Sequence, residues 1–250
     1  MIPSKYQEDF TIPSYFTGSN FCLRPNSFFD IAQELAVRGS TQLGVPDTVL
    51  HKMGIGWILI RTALQFEKYP RIGEKTLLQS WHFGVKGPFY FRNYRMLDAD
   101  GQALVLGTSS WVLMDIQSRS VVKPSRIFDI ISAEPQCDEV TLPFDPPKLV
   151  MPQDCAAESA GVHTVTYTDV DYNRHANNAK YPAWAMDCLP YEQVAGGSVK
   201  EFQINYNHEV RLGDSVQLYR AQATDGAWYV EGRCPDGLPS FICRISFIRA

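Results

Sequence analysis

The sequence predicts an α+β chain that uses one plan twice, a helix followed by a run of antiparallel strands. Three observations predict it. In each half a helical segment gives way to strand-like runs. Pro70-Arg71-Ile72-Gly73-Glu74 stands between strands at the place where the second half has Val210-Arg211-Leu212-Gly213-Asp214. Asp100-Gly101 and Asp236-Gly237, both hairpin signals, also fall at matching places. A helix buried on one antiparallel sheet is an α+β arrangement, and two copies in one chain read as an internal pseudo-dimer whose sheets can join edge to edge.

The totals agree with this plan. At 250 residues, 45% apolar and 20% charged, the chain has ample material for a core. A net charge of −4 gives no basic footprint, so nucleic acid is not an expected partner. No apolar run is long enough to suggest a membrane span, and the opening MIPSKYQEDF lacks the apolar stretch of a signal peptide. The six cysteines have no C-x-x-C or zinc spacing and read as free thiols of a reducing cytoplasm.

Taken in order, residues 6–21 read as strand and turn. Asn26 to Gly44 is the first helix, with Phe28, Ile31, Leu35 and Val37 as its apolar face and Gly39 or Gly44 as its stop. Strands come next from Gly56: WILIRTALQFEKY, KTLLQSWHFG, FYFRNYRMLD and QALVLGTSSWVLMD. Residues 117–160 change character, with Pro124, Pro135, Pro143, Pro146, Pro147 and Pro152, and read as a connector with one short helix near Arg126 to Ile131. The domain boundaries expected are 1–135, a connector at 136–160, and 161–250. Past the connector come a short strand (HTVTYT), a second helix, and the strands KEFQINYNHEV, SVQLYRAQAT, AWYVEGRC and SFICRISFIR.

The chemistry concentrates before the second helix. Asp169, Asp171, Asn173 and His175 fall at every second position, so an extended segment points all four the same way. Asn177 and Asn178 offer capping oxygens, and Tyr181, Trp184, Ala185 and Cys188 form one apolar stripe. A row of acid, amide and imidazole thus arrives at a helix N-terminus, where free N–H groups favour negative charge. Capping alone explains one or two such residues, not a row ending in histidine. The first half serves as a control. Aligned helix starts put Ser19, Phe21 and Leu23, or Asn20, Cys22 and Arg24 one residue on, opposite Asp171, Asn173 and His175, and Tyr69 opposite Glu209. Glu209 itself alternates with Gln203, Asn205 and Asn207 on a polar face, and His208 with Phe202, Ile204 and Tyr206 on the other. Alternation alone leaves Glu209 solvated with His208 on the inward face; a bulge before Gly213 is what would turn Glu209 inward instead.

A helix on a sheet, present twice, is the plan of a tandem hot-dog fold. The stretch Asp171, Asn173, His175, Asn178, Tyr181 resembles the D-x-N-x-H-x-x-N-x-x-Y motif of the acyl-acyl carrier protein (acyl-ACP) thioesterases, with Trp184 at the family's aromatic position. Asn205-Tyr206-Asn207-His208-Glu209-Val210, followed by Asp214-Ser215-Val216, is similar to a second family signature. Lys68-Tyr69-Pro70 and Ser109-Ser110-Trp111-Val112 match the family in the first half, so the resemblance covers nearly the whole chain. Val210 stands where the family often carries a cysteine, which removes a thiol nucleophile from that position.

The resemblance implies hydrolysis of the thioester of fatty acyl-ACP, with release of the free fatty acid and termination of its synthesis. The implied catalytic residues are Asp171, Asn173, His175 and Glu209. Asn178, Tyr181, Trp184, Phe29 and Ile58 are the implied substrate-binding residues, the first half supplying the acyl pocket. The implied partner is acyl carrier protein, with Lys86, Arg92, Arg174 and Lys180 as cations near the site; a homodimer is the assembly considered. Neither a cofactor nor a metal is expected. An enoyl- or hydroxyacyl-thioester hydratase or dehydratase, and a non-catalytic acyl-sensing protein, are the alternatives. No G-x-S-x-G, H-E-x-x-H or glycine-rich phosphate loop is present.

Overall fold

The computed structural model describes residues 4–142, 146–196 and 198–248. Two compact units emerge, one of residues 1–13 and 31–146, the other of residues 14–30 and 147–250. Each is a hot-dog repeat with the same strand order.

The first unit opens with β1 (Tyr6–Thr11). The long helix α1 (Pro25–Gln42) is divided between the units, with Pro25 to Asp30 clustering in the second. The short helix α2 (Asp47–Lys52) comes after it. Then come β2 (Ile55–Phe66), β3 (Lys75–Lys86), β4 (Phe89–Leu97), β5 (Ala103–Asp115) and the two-residue β6 (Val121–Val122). Their sheet runs β1-β3-β4-β5-β2, antiparallel throughout, with β6 beside β5. The second unit has β7 (Glu158–Thr164), α3 (Lys180–Asp187), α4 (Tyr191–Gly196), β8 (Val199–Tyr206), β9 (Ser215–Gln222), β10 (Trp228–Arg233) and β11 (Pro239–Phe247). Its sheet runs β7-β9-β10-β11-β8, the same order. The edge registers agree as well: Thr11 faces Lys75 and Thr164 faces Ser215.

Helix α1 buries Phe28, Phe29, Ile31, Ala32, Leu35 and Ala36. Val37, expected on this face, is exposed, because a residue two beyond Leu35 lies some 200° round the helix. Gly44, at φ +81°, ends the turn after α1, whereas Gly39 lies inside it. Helix α2 is not apparent in the sequence because six residues carry little periodicity. Its Leu50 seals a cluster with Leu43, Val45, Ile55, Tyr90, Leu113, Ile127 and Ile131. The second repeat's helix is shorter than the first. Pro190 interrupts it: Leu189 N–H bonds Met186 O, and Pro190 O then accepts Gln193 and Val194 N–H to begin α4.

The helix expected near Arg126 to Ile131 is a single 3-10 turn at Pro124–Ile127. Described residues of the connector bond to strands of each unit. Trp81 Nε1 and Asn93 Nδ2 each donate to Glu139 O at 3.2 Å, and Thr141 Oγ1 donates to Gly107 O at 2.8 Å, all in the first unit. In the second unit Gln203 Nε2 donates to Pro147 O at 2.6 Å. Gln203 and Asn205, expected on a solvated face, are buried. Pro143 lies outside the described residues. Arg92, expected as a surface cation, is buried too. It projects from β4 onto α1, where a Cβ at Gly39 would come within 2.3 Å of its Nη1, and Nη1 donates to Ser80 Oγ at 3.1 Å. A residue on a central strand has only the two faces of the sheet to point to, and here α1 covers that face.

Candidate active site

The site is built on the stretch between β7 and α3. Val165 anchors its entry, donating to Asp214 O at 2.9 Å and accepting from Gly213 N at 2.9 Å. Thr166 then caps a 3-10 turn at Tyr167–Asp169. Asp169 Oδ2 accepts hydrogen bonds from Thr166 N at 2.8 Å and Thr166 Oγ1 at 2.9 Å, and meets His163 Nε2 at 3.1 Å. Burial pushes the Asp169 carboxyl up, yet these donors from Thr166 and His163 hold it below the usual carboxylate range.

Beyond Asp169 the chain does not form the extended row that alternation predicts. Val170 pairs with Ala176, and the residues between close a tight hairpin. Asp171 N donates to His175 O at 3.0 Å and Arg174 N to Asp171 O at 2.9 Å. Asp171 Oδ1 accepts the Asn173 N–H at 2.8 Å, an Asx turn that uses the acid to shape backbone. Arg174 takes the left-handed conformation at φ +65°. Asn173 is exposed at the tip, whereas His175 is half-buried at the base. Acid, amide and imidazole therefore do not share one direction. The polar spacing that reads as a strand is equally the composition of a turn.

His175 finds its partner across the chain. Its Nε2 lies 3.2 Å from Glu209 Oε1. Two features at the end of β8 bring Glu209 there. Strand pairing stops at Tyr206, and the successive N–H groups of Asn207 and His208 both donate to Ser240 O, at 2.8 and 3.1 Å. Two residues against one reverse the alternation, so that Glu209, although exposed like its neighbour His208, meets His175. Ala176 N then donates to Val210 O at 2.8 Å, tying the hairpin to the segment that carries Glu209. Arg211 Nη2 reaches the same Glu209 Oε1 at 3.3 Å. Neither Arg211 nor His163 stands out in the sequence. For Arg211 the only signal is its opposite charge two positions from Glu209.

The implied substrate-binding residues divide. Asn178 is half-buried in the turn before α3; the helix has no side-chain cap, and Asn177 Oδ1, not Asn178, accepts Ala179 N–H at 2.8 Å in the turn that leads into it. The helix begins at Lys180, so Pro182 is still in its first turn, where no N–H is missed. Tyr181 and Trp184 are core residues. The Tyr181 ring packs on Tyr206 and Phe241, with centroids at 5.8 and 5.3 Å, and Trp184 lies 4.2 Å from the His163 ring. Burial raises the Tyr181 phenol, which the Val210 backbone opposes by hydrogen bonding. Phe29, on the part of α1 that clusters with the second unit, packs edge-on against Phe202 at 4.9 Å. Ile58 belongs to the first unit, half-buried on β2 opposite Val112.

The same hairpin exists in the first repeat without this chemistry. Thr17 pairs with Leu23, Gly18 N donates to Cys22 O at 2.9 Å, Phe21 N to Gly18 O at 3.0 Å, and Arg24 N to Phe16 O at 2.9 Å. In the second repeat Asn177 N donates to Asp169 O at 2.8 Å in the place of that last bond. Phe21 has the φ of +60° that matches Arg174. This corrects the sequence alignment: Asp171, Asn173 and His175 correspond to Gly18, Asn20 and Cys22. Among the described residues no group of three or more His, Cys, Asp or Glu side chains is arranged to hold a metal ion.

Two family models match in succession, the acyl-ACP thioesterase N-terminal domain over residues 3–133 and the acyl-ACP thioesterase C-terminal domain over residues 153–231. Among curated proteins, oleoyl-acyl carrier protein thioesterase 1 of Arabidopsis thaliana is 24% identical over 234 residues, which cover 84% of this chain and 62% of that protein. Dodecanoyl-[acyl-carrier-protein] hydrolase of Umbellularia californica is 25% identical over 220 residues, covering 82% and 56%. The chain thus spans less than two thirds of these relatives. Among solved structures, an acyl-ACP thioesterase from Bacteroides thetaiotaomicron superposes with a TM-score of 0.88 at 21% identity, with 98% of each chain covered. A 12:0-ACP thioesterase from Umbellularia californica superposes at 0.86 and 19%, covering 99% of this chain and 98% of that one. At such identities these superpositions speak for the fold.

Proposed function

Since the chain belongs to the acyl-ACP thioesterase family, we propose that it hydrolyses the thioester of a fatty acyl-ACP, releasing free fatty acid and the carrier's thiol and so ending chain growth. The observation that carries this reading is the 3.2 Å approach of His175 Nε2 to Glu209 Oε1 on two segments tied together by their backbones. The pair takes a proton from water as the water oxygen bonds to the thioester carbon. The oxyanion so formed is met by hydrogen-bond donors near the hairpin base and the turn before α3. It collapses with cleavage of the carbon–sulfur bond, and the proton goes to the departing sulfur. Asp171 holds the turn that presents His175. Asn173, at the exposed tip, orients the incoming thioester through its amide.

Acyl carrier protein is the partner that brings the substrate. Arg174, exposed on the hairpin, Lys180 at the start of α3 and Lys86 at the exposed end of β3 are the cations proposed for an acidic carrier. Phe29 and Ile58 are the residues proposed for the acyl chain. Among the described residues no helix is long and apolar enough to cross a membrane. Six free cysteines suit a reducing compartment such as the cytoplasm.

The test is incubation with acyl-ACP thioesters of graded chain length, measuring free thiol and free fatty acid together. Stoichiometric release of both is expected, with one favoured length. Addition of water to an enoyl thioester without thiol release identifies a hydratase instead, and an absence of turnover on every acyl-ACP overturns the reading.

A further inference from the structure

The His163–Asp169 pair takes no part in the proposed hydrolysis, although it sits at the root of the catalytic hairpin. The pair and the indole beside it come from three elements. His163 lies on β7, Asp169 closes the 3-10 turn, and Trp184, whose ring packs on His163 at 4.2 Å tilted by 31°, lies on α3. Asp169 is buried and its backbone O accepts Asn177 N–H at 2.8 Å, so the residue fixes both strands of the hairpin where they emerge. Past that point Val170 pairs with Ala176, and Ala176 holds Val210 next to Glu209.

The first repeat shows what the fold alone requires here. Its hairpin makes the same backbone bonds, and Ser27 N donates to Arg24 O as Lys180 N does to Asn177 O. By that correspondence His163, Asp169 and Trp184 match Phe10, Phe16 and Ile31. Three apolar residues fill the positions where the second repeat has an imidazole, a hydrogen-bonded acid and an indole. An ion-pairable group is therefore not needed to close the hairpin. It appears only in the copy whose hairpin carries His175. A buried carboxylate held by several donors, in a place that its twin fills with an apolar side chain, restricts the conformation of the turn it closes.

We propose that His163 is a positioning residue: its imidazole fixes the Asp169 carboxylate and, through it, the hairpin that sets His175 against Glu209. The inference rests on the reading of His175 and Glu209 as the reacting pair. Among the described residues the hydrogen-bond partner of His163 is Asp169, not the reacting pair. The other charged groups in its surroundings are Asp187 on α3, whose carboxyl burial raises against the opposing charges of His163 and Arg24, and Arg24 itself.

The test uses the whole chain and acyl-ACP turnover. His163→Phe, which installs the first repeat's residue, is expected to fold and to lower kcat about 10- to 100-fold with KM little changed, as a misplacement of reacting groups does. His163→Gln, which keeps a donor for Asp169, restores most of that loss. Asp169→Asn lowers kcat like His163→Phe and serves if the phenylalanine variant does not fold. In a His175→Ala background His163→Phe adds little further loss, because it acts through His175. A folded His163→Phe or Asp169→Asn with wild-type kcat beside an impaired His175→Ala overturns the positioning role alone. An undiminished further loss in the His175→Ala background overturns it too. A wild-type rate for His175→Ala overturns the site itself.

Discussion

His175 and Glu209 lie 34 positions apart in the numbering, yet their contact is set by backbone bonds rather than by side-chain attraction. Ala176 N–H to Val210 O places their neighbours, and the doubled donation to Ser240 O turns Glu209 toward the imidazole. The expected consequence is that side-chain replacement disables chemistry without loosening the fold. Glu209→Gln and His175→Ala should each lower kcat on acyl-ACP by about 10²- to 10⁴-fold. The unfolding midpoint in urea should stay within experimental scatter of wild type. A large drop in midpoint would mean that the pair holds structure instead. As candidates, His175 was legible through spacing and resemblance together, Glu209 through resemblance alone. Their geometry was not. A row such as Asp169, Asp171, Asn173, His175 satisfies strand alternation and turn chemistry alike, and the Asn173 N–H donated to Asp171 Oδ1, with the Val170–Ala176 pairing, decides for the turn. His163 was invisible for a further reason: its partner is reached across a turn whose shape depends on Thr166 capping.

Strands were the easiest elements to place and short helices the hardest. The long antiparallel runs β2 to β5 repeat an alternating pattern with turn residues between them, so length and period agree. Helix α2, the break at Pro190 and the 3-10 turn at Pro124–Ile127 span too few residues for a period to show. Close approach between strands is another property of elements that composition conceals. A Cβ at Gly232 of β10 would lie 2.2 Å from Phe241 Cε1 and 2.8 Å from Val216 Cγ1, side chains of the two flanking strands. Gly232→Ala should therefore force those buried groups apart and cost about 1–3 kcal/mol. Urea unfolding would register it as a lower midpoint at unchanged slope. Equal stability would show that β10 can shift to admit a methyl group. Exposed Gly226→Ala is not an adequate comparison, because its φ of +87° strains any side chain.

Across the molecule, the two repeats carry their polar groups differently. The first holds a buried imidazole: His82 of β3 has its Nε2 3.0 Å from Ser132 O, and burial, helped by the Arg92 charge, lowers it from 6.5 to about 4. The unfolded chain takes up this proton below about pH 6.5, whereas the folded chain refuses it until about pH 4. Stability is then full above pH 6.5, falls as pH drops toward 4, and levels off below, with a loss of up to about 3 kcal/mol from this group. Urea titrations of wild type and His82→Gln across that window should converge as pH falls; parallel curves would assign the acid sensitivity elsewhere. The duplication was legible from two matches, Pro70 to Glu74 with Val210 to Asp214 and Asp100-Gly101 with Asp236-Gly237, and the structure extends it to individual hydrogen bonds. That equivalence has a consequence for inheritance. An assembly of identical chains cannot give an imidazole to one hairpin and withhold it from its twin, because both are written by one stretch of gene. A chain that contains both copies can. Cys22 and His175 occupy the same place in the same loop under separate codons, so one copy is free to drift, or to acquire other work, while the other keeps its acid and its imidazole.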